Sequence, residues 1–489
     1  MHSKLLTALA VTALISACNS SDDTTTPPAA TTPKNVILFL GDGYGIVPMT
    51  ATRIYAAGEE GDLTIDTFPE TAFVKTYSLD AQVTDSAPSM AAYMTGVKTR
   101  NEVLGMNGDT LAYSPAKDPE TGVSSSVDKC PATGNGAAST TLLELAIAAG
   151  RATGVVTTAR LTHATPAATY AHTCHRNAEY EIARQAVPGG AGYNAALGTG
   201  VDVLMGGVSQ YWLPYNATTN PAGRPDKRDL VAELKAKGYT SVTDLDTLKA
   251  APTAAGTKLI GLFDQAKAEG HMSYELDRDA TKEPSLAEMT TKSIDILSKR
   301  DKGYFLMVEG GRIDHALHGT NARRALSDAK AFDDAIKAAI AKVKETDPTL
   351  KNTLIVVTAD HDHTMVMNGY AAITGKTTDA SPGILGLMRD YTAPATPALD
   401  ADGKPFTTLV FGNGENRVAG SRALMTTLTD AAVYDKNYHQ EAAIQMGVGG
   451  ETHGGSDVFL GAMGLGADTF HGTIDNTEVF SLVRKAVGL

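Results

Sequence analysis

An aspartate and a serine stand side by side in Val83-Thr-Asp85-Ser86-Ala-Pro88-Ser-Met90. Asp and Ser favour helix N-caps and Pro is tolerated in the first helical turn, so the stretch reads as the start of a helix. Such a start offers free backbone N–H groups and the positive end of the helix dipole, which suits an anion. A serine hydroxyl is a weak nucleophile at its free pKa and needs a base or a metal beside it. Candidate activators recur along the chain. Asp42, His163, Glu309, Asp314, Asp360 and His361 each fall at or just after the end of a strand-like apolar run. Asp and His are ligands expected for Zn²⁺, while Glu and Thr oxygens suit Mg²⁺. Asp314 and His318 are spaced i, i+4, so one helical turn aims both at one cation. A lone group of this kind is usually a cap or a satisfied core residue, but a succession at strand ends is hard to explain as structure alone.

The elements that would position these groups alternate. Asn35-Val-Ile-Leu-Phe-Leu40 before Gly41-Asp42-Gly43-Tyr44-Gly45 reads as a buried parallel strand ending in a Gly-rich turn. Strands are expected at 154–158, 202–206, 258–263, 304–308 and 353–358, with helices from Ser86 to near Gly96 and at 139–150, 228–238, 285–299, 323–343 and 479–487. This alternation predicts an α/β fold, a mostly parallel central sheet with helices on both faces. Ligands in such sheets bind outside the carboxyl ends of the strands. Residues 364–450 are Gly-, Thr- and Ala-rich with few long periodic segments and read as an insertion on the core.

The 489 residues are 43% hydrophobic and 20% charged, a globular composition with length for a large core. Net charge is −13 and Lys/Arg runs are absent, which argues against a nucleic-acid partner. An acidic protein that admits an anionic substrate needs a local positive centre, such as a metal cluster. Lys4 and the apolar run from Leu5 to Ile15 form a leader too short to span a bilayer. It ends in Ile15-Ser16-Ala17-Cys18, which resembles a lipobox. The favoured reading is a signal peptide over 1–17 and lipidation of Cys18, the alternative ordinary cleavage after Ala17. A polar tether follows to Pro33, and the expected location is the periplasm or cell envelope of a bacterium. Cys130 and Cys174 are expected to form a disulfide, with Cys174 as a metal ligand the alternative.

Taken in order, Gly41-Asp42-Gly43, Asp85-Ser86, His163-Ala-Thr165-Pro166 with Arg176, the run from Val308 to His318, Thr358-Ala-Asp360-His361-Asp-His363 and Glu451-Thr-His453-Gly-Gly resemble the alkaline phosphatase family over most of residues 34–489. The resemblance implies a three-metal site, two Zn²⁺ and one Mg²⁺, with a crown-like insertion and a homodimer. Asp42 would bridge the second zinc and the magnesium; Asp360, His361 and Ser86 would complete that zinc. Asp314, His318 and His453 would hold the first zinc, Glu309 and Thr165 the magnesium. Arg176 would clamp phosphate. His163 and His315 match the animal-type variant of the site, which some bacterial members share; His163 would contact magnesium, and His315 phosphate, through water. His363 is expected to orient a ligand carboxylate. His172, His175, His271 and His471 read as structural, and Asp333-Asp334 as a solvated helix face. Of the calcium site that animal-type members also carry, only Asp264 and Glu283 give a hint, and no calcium is expected on that basis.

The implied activity is hydrolysis of phosphate monoesters through a phosphoserine on Ser86. A sulfatase or phosphodiesterase of the same superfamily is the nearest rival, because Ser86-Ala-Pro88-Ser-Met90 resembles the sulfatase pattern, although Met90 stands at its Arg position. A metal- or phosphate-binding lipoprotein without turnover is the rival of another class, and it leaves Ser86 and Arg176 unexplained.

Overall fold

Val36 to Leu40 are wholly excluded from solvent, as a strand covered on both faces requires. In the computed structural model, which describes residues 35–113, 130, 135–267 and 270–489, this run is the middle of a large sheet. The leader, Cys18 and the tether lie outside the described residues. In chain order the strands are β1 (Asn35–Gly41), β2 (Glu70–Lys75), β3 (Ala152–Arg160), β4 (Val203–Gly207), β5 (Tyr239–Val242), β6 (Lys258–Phe263), β7 (Tyr304–Gly310) and β8 (Thr353–Ala359). Then come β9 (Asp362–His363), β10 (Met365–Met367), β11 (Leu409–Gly414), β12 (Ala442–Gln445), β13 (His453–Gly454), β14 (Val458–Gly464) and β15 (Gly472–Asp475). Ten of them form one sheet in the order β15-β2-β14-β8-β1-β7-β3-β4-β6-β5. Within this sheet every pairing is parallel except those of β14, which runs antiparallel to β8 and β2.

The helices are α1 (Ile46–Ala57), α2 (Ser86–Thr95), α3 (Leu142–Ala148), α4 (Ala164–Ala167), α5 (Glu179–Gln185) and α6 (Leu230–Ala236). They continue with α7 (Leu245–Ala250), α8 (Leu286–Leu297), α9 (Arg312–His318), α10 (Ala322–Lys344), α11 (Asp430–Val433) and α12 (Asn476–Val487). One layer is built from α1, α8, α9 and α10, the other from α2, α3, α4 and α12. Phe39 of β1 meets Phe332 of α10 edge to face, ring centres 5.9 Å apart, which ties the central strand to the first layer. The expected α/β architecture is therefore the observed one. Among the described residues no helix is long and apolar enough to cross a membrane.

Asp85 caps α2 as expected, its carboxylate accepting from the Ala87 N–H at 2.7 Å, and Gly96 closes the helix with a φ of 71°. The region 364–450 carries its own small sheet, β10-β11-β12. One expectation fails on α10. Asp333 does not face solvent; it is buried and accepts from the backbone N–H groups of Thr64 and Ile65, each at 2.9 Å. These donors satisfy a carboxylate that would otherwise be costly to bury. Its neighbour Asp334, one helical step round, is exposed and pairs with Lys330.

Cys130 and Cys174 are bonded, with Cα atoms 5.7 Å apart across 44 residues of sequence. The metal-ligand alternative for Cys174 is thereby set aside. Closing a loop of this length restricts the unfolded chain, so the double variant Cys130→Ser/Cys174→Ser is expected to lose about 2–4 kcal/mol. An unchanged denaturant midpoint in equilibrium unfolding would contradict that.

Candidate metal centre and its serine

The parallel strands deliver the predicted groups to one edge. Asp42 follows β1, Glu309 lies in the last residues of β7, and Asp360-His361 follow β8. His163 caps α4 just beyond β3, and Asp314, His315 and His318 lie on α9, which leaves β7 directly. The β9–β13 pair sets His363 opposite His453. Ser86 is the first residue of α2 and is 1% exposed.

Asp314, His318, His363 and His453 form the first group, their ligand atoms all within 4.8 Å of one another. Around Asp314 Oδ1 stand His363 Nε2 at 2.8 Å, His318 Nε2 at 3.2 Å and His453 Nε2 at 3.5 Å. The far ring nitrogens are engaged: His453 Nδ1 lies 2.7 Å from the Thr84 carbonyl, and His318 Nδ1 bonds the Glu451 carbonyl. A carbonyl only accepts, so Nδ1 carries the hydrogen in both rings, and in the neutral imidazoles it is an Nε2 lone pair that faces Asp314. Burial works against charge on His363, but Glu451 and Asp314 on either side outweigh it and hold the imidazole up at about 10.

Two further groups share Asp42: Asp42, Asp360 and His361, and Asp42, His163 and Glu309. His361 Nδ1 faces the Asp362 carbonyl at 3.2 Å, which by the same logic points its Nε2 lone pair at Ser86 Oγ, 3.3 Å away. Ser86 Oγ is also 3.4 Å from Asp42 Oδ1. Asp360 Oδ1 accepts from the Gly43 and His361 backbone N–H groups, each at 3.0 Å. Gly43 has a φ of +65°, and a Cβ there would sit 2.4 Å from the His363 ring, so this close approach needs glycine. Thr157 donates to Glu309 Oε2 at 2.5 Å.

Cations fit this donor set. Asp42 Oδ2, Asp360 Oδ2, His163 Nδ1, Thr165 Oγ1 and Glu309 Oε1 are buried without a hydrogen-bond partner, and such orphans cluster where an ion belongs. Burial, followed by repulsion from Asp314, Asp360 and Glu309, pushes the Asp42 carboxyl well up. Burial likewise carries Glu309 up to about 8, with Asp360 and Asp314 adding to the shift. A cation between these carboxylates removes both penalties.

Arg176 Nη1 donates to Asp85 Oδ1 at 3.0 Å, and its Nη2 lies 3.2 Å from His163 Nε2. Its backbone N–H donates to the Glu102 carbonyl at 2.7 Å, and Glu102 in turn bonds Asp85 through its own N–H. His315 lies among imidazoles, its ring centre 5.2 Å from that of His163 and 3.9 Å from that of His271. A cavity of about 390 Å³ opens beside the first group, walled by Val83, Thr84, Asp85, Asn101, His318 and Thr452 among others.

The remaining histidines divide. His172 bonds Glu144 at 2.8 Å, His175 stands 3.7 Å from Glu102, and His471 is exposed. His271, expected to be structural, is held by Arg160, whose backbone N–H donates to Nδ1 at 3.2 Å and whose guanidinium lies 2.7 Å from Nε2, and it packs against His315. Asp264 bonds Ser209 and Glu283 bonds the Ser273 N–H. Sequence reasoning did not single out the side chains of Glu451, which holds His363, Thr364, which holds Glu451, and Thr157, which holds Glu309. Only Glu451 carried a signal, its place two residues before His453.

Fold and site together define a class: a metal-binding hydrolase with a buried serine at the carboxyl edge of an α/β sheet. The model of the family described as Alkaline phosphatase matches residues 33–489. The chain belongs to the alkaline phosphatase family. It is 37% identical over 472 residues to the tissue-nonspecific alkaline phosphatase of Gallus gallus, covering 91% of this chain and 83% of that one. Identity to an alkaline phosphatase of Gadus morhua is 36% over 473 residues, covering 91% and 90%. Among solved structures, alkaline phosphatase from the Antarctic bacterium TAB5 superposes with a TM-score of 0.60 at 26% identity, covering 94% of this chain and 99% of that one. A variant of the TAB5 protein has Mg bound in its M3 site. The protein is thus a phosphoric monoester hydrolase, and the sulfatase, phosphodiesterase and non-catalytic readings give way.

Proposed function

We propose that this hydrolysis runs through a phosphoserine on Ser86, in a centre for two Zn²⁺ and one Mg²⁺. The observation that carries the reading is Ser86 Oγ, buried between Asp42 Oδ1 and the His361 Nε2 lone pair. Asp314, His318 and His453 would hold one zinc, and Asp42, Asp360 and His361 the other beside Ser86. Asp42, Glu309 and Thr165 would hold magnesium, with His163 beside it; the Mg in the TAB5 variant supports this third position. When bound, these ions supply the Lewis-acid charge that makes a serine hydroxyl nucleophilic and offsets charge on a leaving oxygen. Ser86 Oγ forms the bond to phosphorus as the P–O bond to the alcohol breaks, and water then cleaves the Ser86–phosphate bond to release inorganic phosphate. The leaving group faces the cavity walled by Val83, Asn101 and Thr452.

Arg176 holds two phosphoryl oxygens, its guanidinium already oriented by Asp85, and His315 reaches phosphate through water. Arg176→Ala is expected to lower kcat/KM for a monoester by about 100-fold, with steady-state kinetics as the check; a change under threefold would remove Arg176 from the phosphate. An aryl phosphate monoester, its diester and the aryl sulfate, assayed side by side, test the substrate class. Turnover of the sulfate or diester above the monoester would sink it.

Export with a lipid on Cys18 and homodimerisation are parts of the same proposal. The exposed Tyr370, Ile373 and Leu424 of the 364–450 region support an assembly surface there. Sedimentation at the mass of one chain, or an N-terminal peptide without lipid, would contradict these two points respectively.

A further inference from the structure

We propose that Glu451 is the positioning residue of the Asp314–His318–His453 group, acting through its side chain on one member and through its backbone on another. The inference rests on the reading of that group as a zinc position. Glu451 is 1% exposed and is not itself one of the clustered ligand residues. Its Oε2 lies 2.6 Å from His363 Nδ1, and its Oε1 accepts from the Thr364 N–H at 2.8 Å and the Thr364 hydroxyl at 2.5 Å. His363 Nε2 in turn lies 2.8 Å from Asp314 Oδ1. A buried carboxylate held at three points thus fixes the ring that orients the Asp314 carboxylate.

At its other end Glu451 grips His318. The Glu451 carbonyl accepts from His318 Nδ1–H, and the Glu451 N–H donates to the His318 carbonyl at 3.2 Å. With Nδ1 committed as donor, the neutral His318 ring keeps its lone pair on Nε2, the atom that lies 3.2 Å from Asp314 Oδ1 and 3.1 Å from His453 Nε2. His453 is two residues further on, its own Nδ1 fixed by the Thr84 carbonyl. One residue therefore sets the orientation of Asp314 and the tautomer of His318. The other groups have different supports: the Gly43 N–H for Asp360 and Thr157 for Glu309. Loss of the Glu451 carboxylate should accordingly weaken one cation position and spare the others.

The test uses the full chain, stripped of metal and titrated with Zn²⁺ against a chromophoric chelator, with Co²⁺ absorption as a site signature. Glu451→Ala is expected to weaken one binding step by roughly 10- to 100-fold and to alter one Co²⁺ band set, the other steps holding. Glu451→Gln keeps a carbonyl for Thr364 and offers its amide to Nδ1 of neutral His363, whose Nε2–H still reaches Asp314. It should therefore restore that step to within a few-fold. Thr364→Val, which removes the hydroxyl bond to Glu451 and a long one from the Asn413 N–H, should weaken the same step several-fold and serves if the alanine variant fails to fold. If the unaltered chain binds no zinc that Asp314→Ala abolishes, the zinc reading falls and this inference with it. If it does bind, and Glu451→Ala titrates like the unaltered chain or weakens every step equally without rescue by glutamine, the positioning role alone is overturned.

Discussion

Ser86→Ala is expected to lower kcat for an aryl phosphate monoester by about 10⁴-fold or more, the scale on which loss of an essential nucleophile is felt. The protein itself should survive the change. Ser86 is buried at the head of α2, but the cap of that helix belongs to Asp85. Its hydroxyl makes only long contacts, 3.4 Å to Asp42 and 3.3 Å to His361. Metal content and unfolding midpoint should therefore match those of the unaltered chain while turnover collapses. A fall of less than tenfold, with metal content intact, would mean that another group attacks phosphorus.

Removal of the cations is the second large effect. Asp42, Glu309, Asp314 and Asp360 are all 3% exposed or less, and the lone pairs of His318, His361 and His453 converge on the same edge. Without cations, burial first and the repulsion between these carboxylates second raise the Asp42 and Glu309 carboxyls. Chelation is accordingly expected to lower monoesterase activity at least about 10³-fold, the weight of several kcal/mol of lost Lewis-acid stabilisation. It should also cost the fold roughly 3–5 kcal/mol, as when a buried charge loses its partner. Re-addition of Zn²⁺ with Mg²⁺ should restore both. Protein shown by elemental analysis to be metal-free and yet fully active would end the three-metal account.

The legible parts of the chain were those where local pattern and tertiary role agree. The apolar run 36–40 fits a strand covered on both faces best, and the Gly-rich turn after it places Asp42 at the carboxyl edge. The periodicity of α10 and the cap, Pro88 and Gly96 of α2 worked in the same way. Once strands and following residues were paired, the candidate ligands fell together, because a parallel sheet delivers every strand end to one edge. Partners distant in sequence were not legible. β2 alternates over six residues with Phe73 half exposed, too short a pattern to separate from a loop. The antiparallel run of β14 depends on its two neighbours and not on its own residues. Asp333 beside Asp334 looks like a solvated doublet until Thr64 and Ile65 supply its donors. His271 resembles any lone histidine until β7 and α9 bring His315 against it. Glu451 likewise gains its partners only when β13 pairs with β9.

The central step is a covalent bond to Ser86. Rapid acid quenching of the metal-loaded protein during the first turnover of an aryl phosphate monoester, followed by peptide mass spectrometry, reads that bond directly. One phosphate on the peptide carrying Asp85-Ser86, absent from Ser86→Ala, is the predicted result. A burst of alcohol with no phosphopeptide, or with phosphate on another residue, would contradict it.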